Sequence, residues 1–209
     1  MSPAKVTLSP KERELVNNAD WILTKNEVIQ KVYILFGGLS EVYQSLFQKH
    51  ISIFTEEAVV RAPKISKGEQ YKGLPWVMLD YPRQFTTLDV FGIRSFFWWG
   101  NFCSITLQLS GRFQQKYTAS IQNYFRVNGI HSSQCKDWFI GIGADPWTHH
   151  FDKDNYIPIS EKMVDTIATL PHIKLAKKIS LQEWDQLDSF FGNNFLEILV
   201  MLKAGNDEY

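Results

Sequence analysis

The chain has 209 residues, of which 44% are hydrophobic, 21% charged and 14% aromatic. A chain of this length can bury about 70% of its unfolded surface, so the composition predicts a globular protein with a substantial core. Lys plus Arg and Asp plus Glu balance at 22 each, which leaves no overall field to attract nucleic acid or an anionic membrane surface. We therefore expect neither nucleic acid nor a membrane as a partner.

The two cysteines, Cys103 and Cys135, are too few and too far apart for a disulfide framework or a zinc cluster. Free thiols suit a reducing compartment. Residues 1–15 lack the apolar segment of a secretory signal, and no apolar run approaches the roughly 18 residues that span a bilayer. These features predict a soluble, cytoplasmic protein.

Two helix starts are predicted near the N-terminus. Residues 9–12 (Ser-Pro-Lys-Glu) form a capping box with proline at the first helical position. A second box at residues 24–27 precedes apolar residues spaced by three and four, which predicts a long amphipathic helix. Its apolar face comprises Val28, Val32, Leu35, Leu39, Val42 and Leu46. Gly37 and Gly38 interrupt this pattern and favour a helix crossing or local bend over a ligand site.

The strand predictions begin after an irregular stretch. Residues 51–72 lose the helical period and are predicted to be an irregular connection or a short element. Residues 74–81 are short and apolar, which predicts a strand that ends at Pro82. Residues 90–99 and 102–109 flank Gly100-Asn101, a pattern typical of a β-hairpin.

The C-terminal half alternates helices and strands. Ser110 is expected to cap a helix that Asn128-Gly129 ends. Residues 138–144 predict a buried strand, 145–154 a polar loop, 160–170 a short helix, and 172–179 an edge strand with lysines. A capping box at residues 180–183 opens a final helix, which Gly192 and the asparagines after it are expected to kink or break.

No repeat or linker separates these elements, so the sequence predicts one α+β domain over residues 1–209. Its antiparallel sheet is expected to have about four to five strands and to include residues 92–109. The long N-terminal and C-terminal helices are expected to pack against the apolar face of this sheet.

Arg94 is the most informative residue of the predicted sheet. If Gly100-Asn101 forms a two-residue turn, Trp98 pairs with Cys103 and Arg94 pairs with Leu107, which places Arg94 on the apolar face. A guanidinium keeps its proton and is costly to bury without a partner. One interpretation is therefore a buried ion pair with Asp80 or Asp89.

The other interpretation of Arg94 is a ligand site. On this hypothesis Trp76, Arg94 and Trp98 line a concavity over the sheet, with Arg83 at its rim and Asp80 nearby. The rings would pack against an aromatic or apolar ligand, and Arg94 would bind its acid group.

A second candidate site lies in residues 145–154, where His149, His150 and Asp152 are candidate metal ligands beside Asp154. Imidazole and carboxylate are ligands that zinc, manganese and iron accept. Neighbouring histidines point apart in an extended chain, so at most one should join the aspartates. The alternative is turn chemistry, in which these side chains bond their own backbone.

The sequence carries no hydrolase elbow, phosphate-binding loop or metalloprotease helix motif, and no cofactor is predicted. Whether the protein is an enzyme stays open. The first hypothesis is a binding protein for a small acidic or aromatic ligand. The second is a protein–protein interaction module or homodimer that uses Trp99, Phe102 and Trp147. The third is a metal-assisted hydrolase that uses the histidine and aspartate loop.

Overall fold

The computed structural model describes residues 6–54 and 61–204, and in it seven strands form one antiparallel sheet in the order β1-β2-β3-β4-β7-β5-β6. The strands are β1 (Lys64–Tyr71), β2 (Leu74–Phe85), β3 (Val90–Trp98), β4 (Phe102–Ser110), β5 (Phe139–Gly141), β6 (Tyr156–Pro158) and β7 (Ile173–Ser180). The helices are α1 (Pro10–Val16), α2 (Ala19–Lys49), α3 (Gly111–Asn128), α4 (Glu161–Thr166) and α5 (Leu187–Lys203). None of the helices within the described ranges has the length and apolarity needed to cross a membrane.

The predicted α+β class is confirmed, but the sheet is larger than the four to five strands expected. Residues 64–71, predicted to be irregular, form the edge strand β1. β6 pairs with β5 at the opposite edge. The predicted edge strand at residues 172–179 is instead an interior strand, β7, which pairs with β4 and β5.

α2 confirms the predicted long helix but begins earlier and buries a rotated face. Asn18 caps it by accepting the Trp21 N–H, so the box at residues 24–27 lies inside the helix. Its buried residues are Ile29, Val32, Phe36, Leu39, Tyr43 and Phe47. The large rings bury more apolar area than the valines of the predicted stripe, and Val42 is 46% exposed. The helix continues through Gly37 and Gly38, where an added Cβ would meet nothing within 4 Å.

Three helices cover one face of the sheet. α2 and α5 pack against each other through the stacked rings of Tyr43 and Phe195, whose centroids are 3.8 Å apart. α3 lies beside α5 and completes a layer that the predicted two-helix arrangement lacked. α5 is not broken at Gly192, and Ser180 caps a short 3₁₀ helix before it.

The β3–β4 hairpin is confirmed, but its pairing differs by one residue from the prediction. Trp98 pairs with Phe102 and Arg94 with Thr106. Trp99, Gly100 and Asn101 lie in the turn, because Trp98 already pairs with Phe102 and its carbonyl oxygen accepts the Asn101 N–H at 3.1 Å. Gly100 has a φ of +70°, and the Trp99 N–H donates to Pro75 O of β2 at 3.0 Å. The turn therefore has three residues, and this shift moves Cys103 and Leu107 to the face opposite Arg94.

β2 also differs from its prediction, because it continues past Pro82 to Phe85. The pairing with β3 shifts between Asp80 and Arg83. Such a bulge leaves residues outside the ladder and so tolerates a proline without an N–H.

Candidate functional site

The face of the sheet opposite the helices, here called the loop face, carries most of the polar side chains of the sheet. The loop of residues 142–155, which joins β5 to β6, contacts this face. Its strand residues include Met78, Asp80, Arg94, Phe96, Trp98, Phe102, Ser104, Thr106, Gln108 and Lys174. A loop covers less of a sheet than packed helices do, so this is the face on which a site can open to solvent.

Arg94 and Asp80 form a buried ion pair across β2 and β3, which confirms the first interpretation of the arginine. Nε lies 2.6 Å from Oδ1 and Nη2 lies 3.3 Å from Oδ2. The two residues are 9% and 4% exposed, so the guanidinium is buried. It lies on the loop face, however, and the prediction that it lies on the apolar face covered by helices was wrong. Its Nη1 group has no hydrogen-bond partner among the residues described.

Two aromatic rings flank this guanidinium. The Arg94 Cζ lies 5.4 Å from the centroid of Phe85 and 5.2 Å from that of Trp147. Trp147 is held by an Asx turn in which Asp145 Oδ1 accepts its N–H at 2.8 Å, as the turn interpretation of this loop predicts. Trp147 is nevertheless 42% exposed, so it presents a ring to solvent beside the buried charge.

A groove of about 520 Å³ opens beside Arg94, between β1 and the 142–155 loop. Its lining includes Tyr71, Trp76, Met78, Arg94, Phe96, Trp147 and His149. The structure thus brings Trp76 and Arg94 together, as the ligand hypothesis expected. Sequence reasoning missed Trp147 and His149 as groove residues, because only the tertiary fold brings their loop to β1.

The other predicted ligand residues lie outside the groove lining. Trp98 is buried beneath it and donates its Nε1–H to Tyr71 O at 3.2 Å. Asp80 lies behind Arg94 as its ion-pair partner. Arg83 is half-buried and donates its Nε–H to Ala62 O at 3.0 Å.

Trp76 lies flat against β1 because Gly68 has no side chain. A Cβ on Gly68 would lie 2.6–2.8 Å from the atoms of the Trp76 indole. This is closer than carbon atoms approach without repulsion, so the glycine fixes the position of one wall of the groove.

His149 contributes a neutral imidazole to the groove. Its ring centroid lies 4.9 Å from that of Phe96, and its backbone N–H donates to the Tyr71 hydroxyl at 2.6 Å. Burial lowers the pKa of His149 well below its usual value, and the nearby charges of Arg94 and Lys174 lower it further. At neutral pH this ring can therefore donate and accept a hydrogen bond without carrying charge.

Lys174 of β7 holds the 142–155 loop against the sheet. Its Nζ donates to Thr148 O at 2.7 Å and lies 4.7 Å from the ring centroid of Tyr156. Lys174 is 1% exposed, and burial lowers its pKa to about 8. The sequence predicted an edge strand with lysines over residues 172–179 and did not identify Lys174 as a buried residue. Its alternation with apolar residues in 173–176 is the signal that could have indicated otherwise.

The candidate metal residues separate as expected for neighbouring histidines. His150 Nδ1 lies 3.2 Å from Asp152 Oδ2 and 4.0 Å from Asp154 Oδ1, whereas the His149 ring faces Phe96. Lys72, at the tip of the β1–β2 hairpin, reaches the same cluster and lies 2.7 Å from Asp152 Oδ2. This hydrogen bond lowers the pKa of Asp152.

The aromatic residues of the homodimer hypothesis lie against different parts of the molecule. Trp99 packs edge-on against Trp21 of α2, while Phe102 packs against Phe151 of the loop. Trp147 packs edge-on against Phe85. The homodimer stays a prediction, which light scattering of wild type and Trp99→Ala would test.

Comparison with protein-family models, with curated proteins and with solved structures finds no match to this chain.

Proposed function

We propose that the protein binds a small, planar ligand in the groove of the loop face, with an acidic or carbonyl oxygen of the ligand directed to Arg94. The observation that carries this proposal is a buried arginine that lines an aromatic groove and whose Nη1 group has no hydrogen-bond partner among the described residues. Binding pockets characteristically combine apolar and aromatic walls with a few placed polar groups.

The walls of the groove favour a flat ligand. Trp76, Phe96 and Trp147 present aromatic rings, and such rings gain about 0.5–1.5 kcal/mol from stacked or edge-on contacts beyond their area burial. The volume of about 520 Å³ lies within the usual range of small-molecule pockets.

The polar groups favour a ligand with at most one negative charge over a multiply charged ligand. Asp80 already neutralises the charge of Arg94 through its Nε and Nη2 groups. The Nη1 group can still donate to a carbonyl or carboxylate. His149, held neutral, adds a donor or acceptor but no further positive charge.

The probe for a test is 1-anilinonaphthalene-8-sulfonate, which joins fused aromatic rings to an acid group. Fluorescence titration of the folded protein should show one saturable site. Trp147→Ala should weaken binding by about tenfold, equivalent to about 1.4 kcal/mol. Trp99→Ala, a tryptophan that packs against α2, is the matched control and should leave the affinity unchanged.

Asp80→Asn distinguishes recognition by Arg94 from a purely structural arginine. Removing the carboxylate leaves the guanidinium charge uncompensated, so the variant should bind the sulfonate more tightly than wild type while being less stable. Near-ultraviolet circular dichroism would verify that the variant is folded. Equal affinities of wild type, Trp147→Ala and Asp80→Asn would contradict the proposal.

A further inference from the structure

A cluster of potential ligand atoms lies at the surface of the 142–155 loop, apart from the groove lining. One ring nitrogen of His150 and one carboxylate oxygen each of Asp152 and Asp154 lie within 4.8 Å of one another. A metal ion bonded at about 2.0–2.2 Å holds its ligand atoms roughly 3–4 Å apart. The two closest separations, 3.2 Å and 4.0 Å, already fall near this range.

The histidine supplies an observation independent of the acidic residues. His150 is 8% exposed, and its Nδ1 atom is buried without a hydrogen-bond partner in the described part of the chain. Nδ1 lies 3.2 Å from Asp152 Oδ2, but the approach does not have hydrogen-bond geometry. A buried nitrogen that faces carboxylate oxygens without a shared proton is costly unless a cation lies between them.

The aspartates can complete the site with small movements. Their side chains are 63% and 80% exposed, so nothing in the packing prevents either carboxylate from rotating towards Nδ1. His150 moves less by contrast, because its side chain is packed in the interior at 8% exposure and its backbone N–H donates to the Tyr71 hydroxyl at 3.0 Å. A metal ion can therefore be bound by the buried imidazole nitrogen together with two carboxylate oxygens that rotate towards it.

We propose that His150, Asp152 and Asp154 bind a divalent first-row transition-metal ion such as Zn²⁺ or Mn²⁺. The nitrogen ligand disfavours Mg²⁺ and Ca²⁺, which prefer oxygen, while imidazole with carboxylate suits the transition metals. The ion would fix the segment that follows Trp147 and His149, and so stabilise the loop over the groove.

Lys72 competes with the proposed ion. Its ammonium group lies 2.7 Å from Asp152 Oδ2, so metal binding must displace this ion pair or share the carboxylate. Lys72→Met removes the competing charge and keeps a side chain of similar length at the hairpin tip. We therefore expect that replacing Lys72 by an uncharged residue increases the affinity of the site for the metal ion.

The test is isothermal titration of chelator-treated protein without an affinity tag, using ZnSO₄ and MnCl₂ in separate experiments. One ion should bind per chain, with much weaker heats from MgCl₂ and CaCl₂. Asp154→Asn should weaken binding by about tenfold or more, since even outer-shell partners of a metal matter by that factor. Lys72→Met should tighten binding severalfold.

His131→Ala is the matched control, because His131 is an exposed histidine outside the cluster and should not affect the titration. We use Asp154→Asn in preference to His150→Ala to disrupt the site, because Asp154 is exposed and its substitution should leave the protein folded, whereas His150 is buried. The proposal is overturned if wild type binds neither ion, if Asp154→Asn binds as wild type does, or if His131→Ala reduces binding equally. Tighter binding by Lys72→Met together with loss in Asp154→Asn would support it.

Discussion

Glu197→Ala should be one of the most destabilising single substitutions in the helix-covered core. Glu197 lies on α5, and its Oε1 accepts the Tyr124 hydroxyl at 2.8 Å and the Trp138 Nε1–H at 2.7 Å. Its Oε2 lies 2.7 Å from the Nζ of Lys177, and the two side chains are 12% and 10% exposed. One carboxylate thus satisfies three donors from α3, the segment before β5, and β7.

The expected cost is about 3–5 kcal/mol, because removing one partner of a buried pair leaves the other charge without compensation. Burial and the charge of Glu197 both raise the pKa of Tyr124, which indicates how closely these groups interact. Urea denaturation followed by circular dichroism and tryptophan fluorescence would measure the loss. The combined variant Lys177→Met with Glu197→Leu should recover part of it, since no charge is then left unpaired. The rest of the loss should persist, because the Tyr124 hydroxyl and the Trp138 N–H still lack their acceptor.

An exposed ion pair provides the control. Arg126 and Asp165 approach to 2.8 Å, but their side chains are 58% and 66% exposed. Asp165→Ala should therefore cost no more than about 1 kcal/mol. If Glu197→Ala also costs less than about 1 kcal/mol, the argument that burial distinguishes the two pairs is refuted.

Three further predictions concern glycines and the buried lysine. Gly37→Ala and Gly38→Ala should each stabilise the protein by up to about 1 kcal/mol in denaturant titrations, because the added methyl meets no atom within 4 Å and alanine favours the helix. Gly68→Ala should displace the Trp76 indole, shift tryptophan emission and weaken binding of the naphthalene probe; unchanged emission and affinity would argue against Trp76 as a groove wall. Because burial lowers the pKa of Lys174 from 10.5 to about 8, the unfolded chain holds more protons than the folded chain between these values. Wild type should therefore gain about 2 kcal/mol of stability relative to Lys174→Met as the pH rises from about 7 to 9.5, and parallel pH profiles would contradict this.

Elements that are encoded locally could be predicted from the sequence. The capping box at Ser9, the β3–β4 hairpin and the end of α3 at Gly129 depend on residues adjacent in the chain. β1 could not be found in this way, because its sequence Lys-Ile-Ser-Lys-Gly-Glu-Gln-Tyr has no apolar alternation. It becomes a strand by pairing with β2, and tertiary context overrides local preference in such cases.

The register of the β3–β4 hairpin shows a second limit of prediction from the sequence. Gly100-Asn101 fits a two-residue turn, but the Trp99 N–H bonds to Pro75 O of a third strand, and this contact is not visible in the local sequence. Arg94 was nevertheless found to be buried and paired with Asp80, because the argument that a buried guanidinium needs a partner holds on either face. The chemistry of the residue was predictable, whereas its neighbours in the groove were not.

Gln108 tests whether a buried polar side chain on the loop face lowers the free energy of unfolding. The side chain is 1% exposed, and neither its Oε1 nor its Nε2 has a hydrogen-bond partner within the described part of the chain. A buried amide without partners costs about 1–3 kcal/mol, so Gln108→Met, which conserves volume, should raise the free energy of unfolding by about 1 kcal/mol. Gln114 is the matched control, since its Nε2 donates to Leu170 O at 2.6 Å and Gln114→Met should lower stability by a similar amount. Natural proteins retain such costs where polar groups serve a site. If both substitutions destabilise equally in denaturant titrations, Gln108 is satisfied in solution and no stability is sacrificed there.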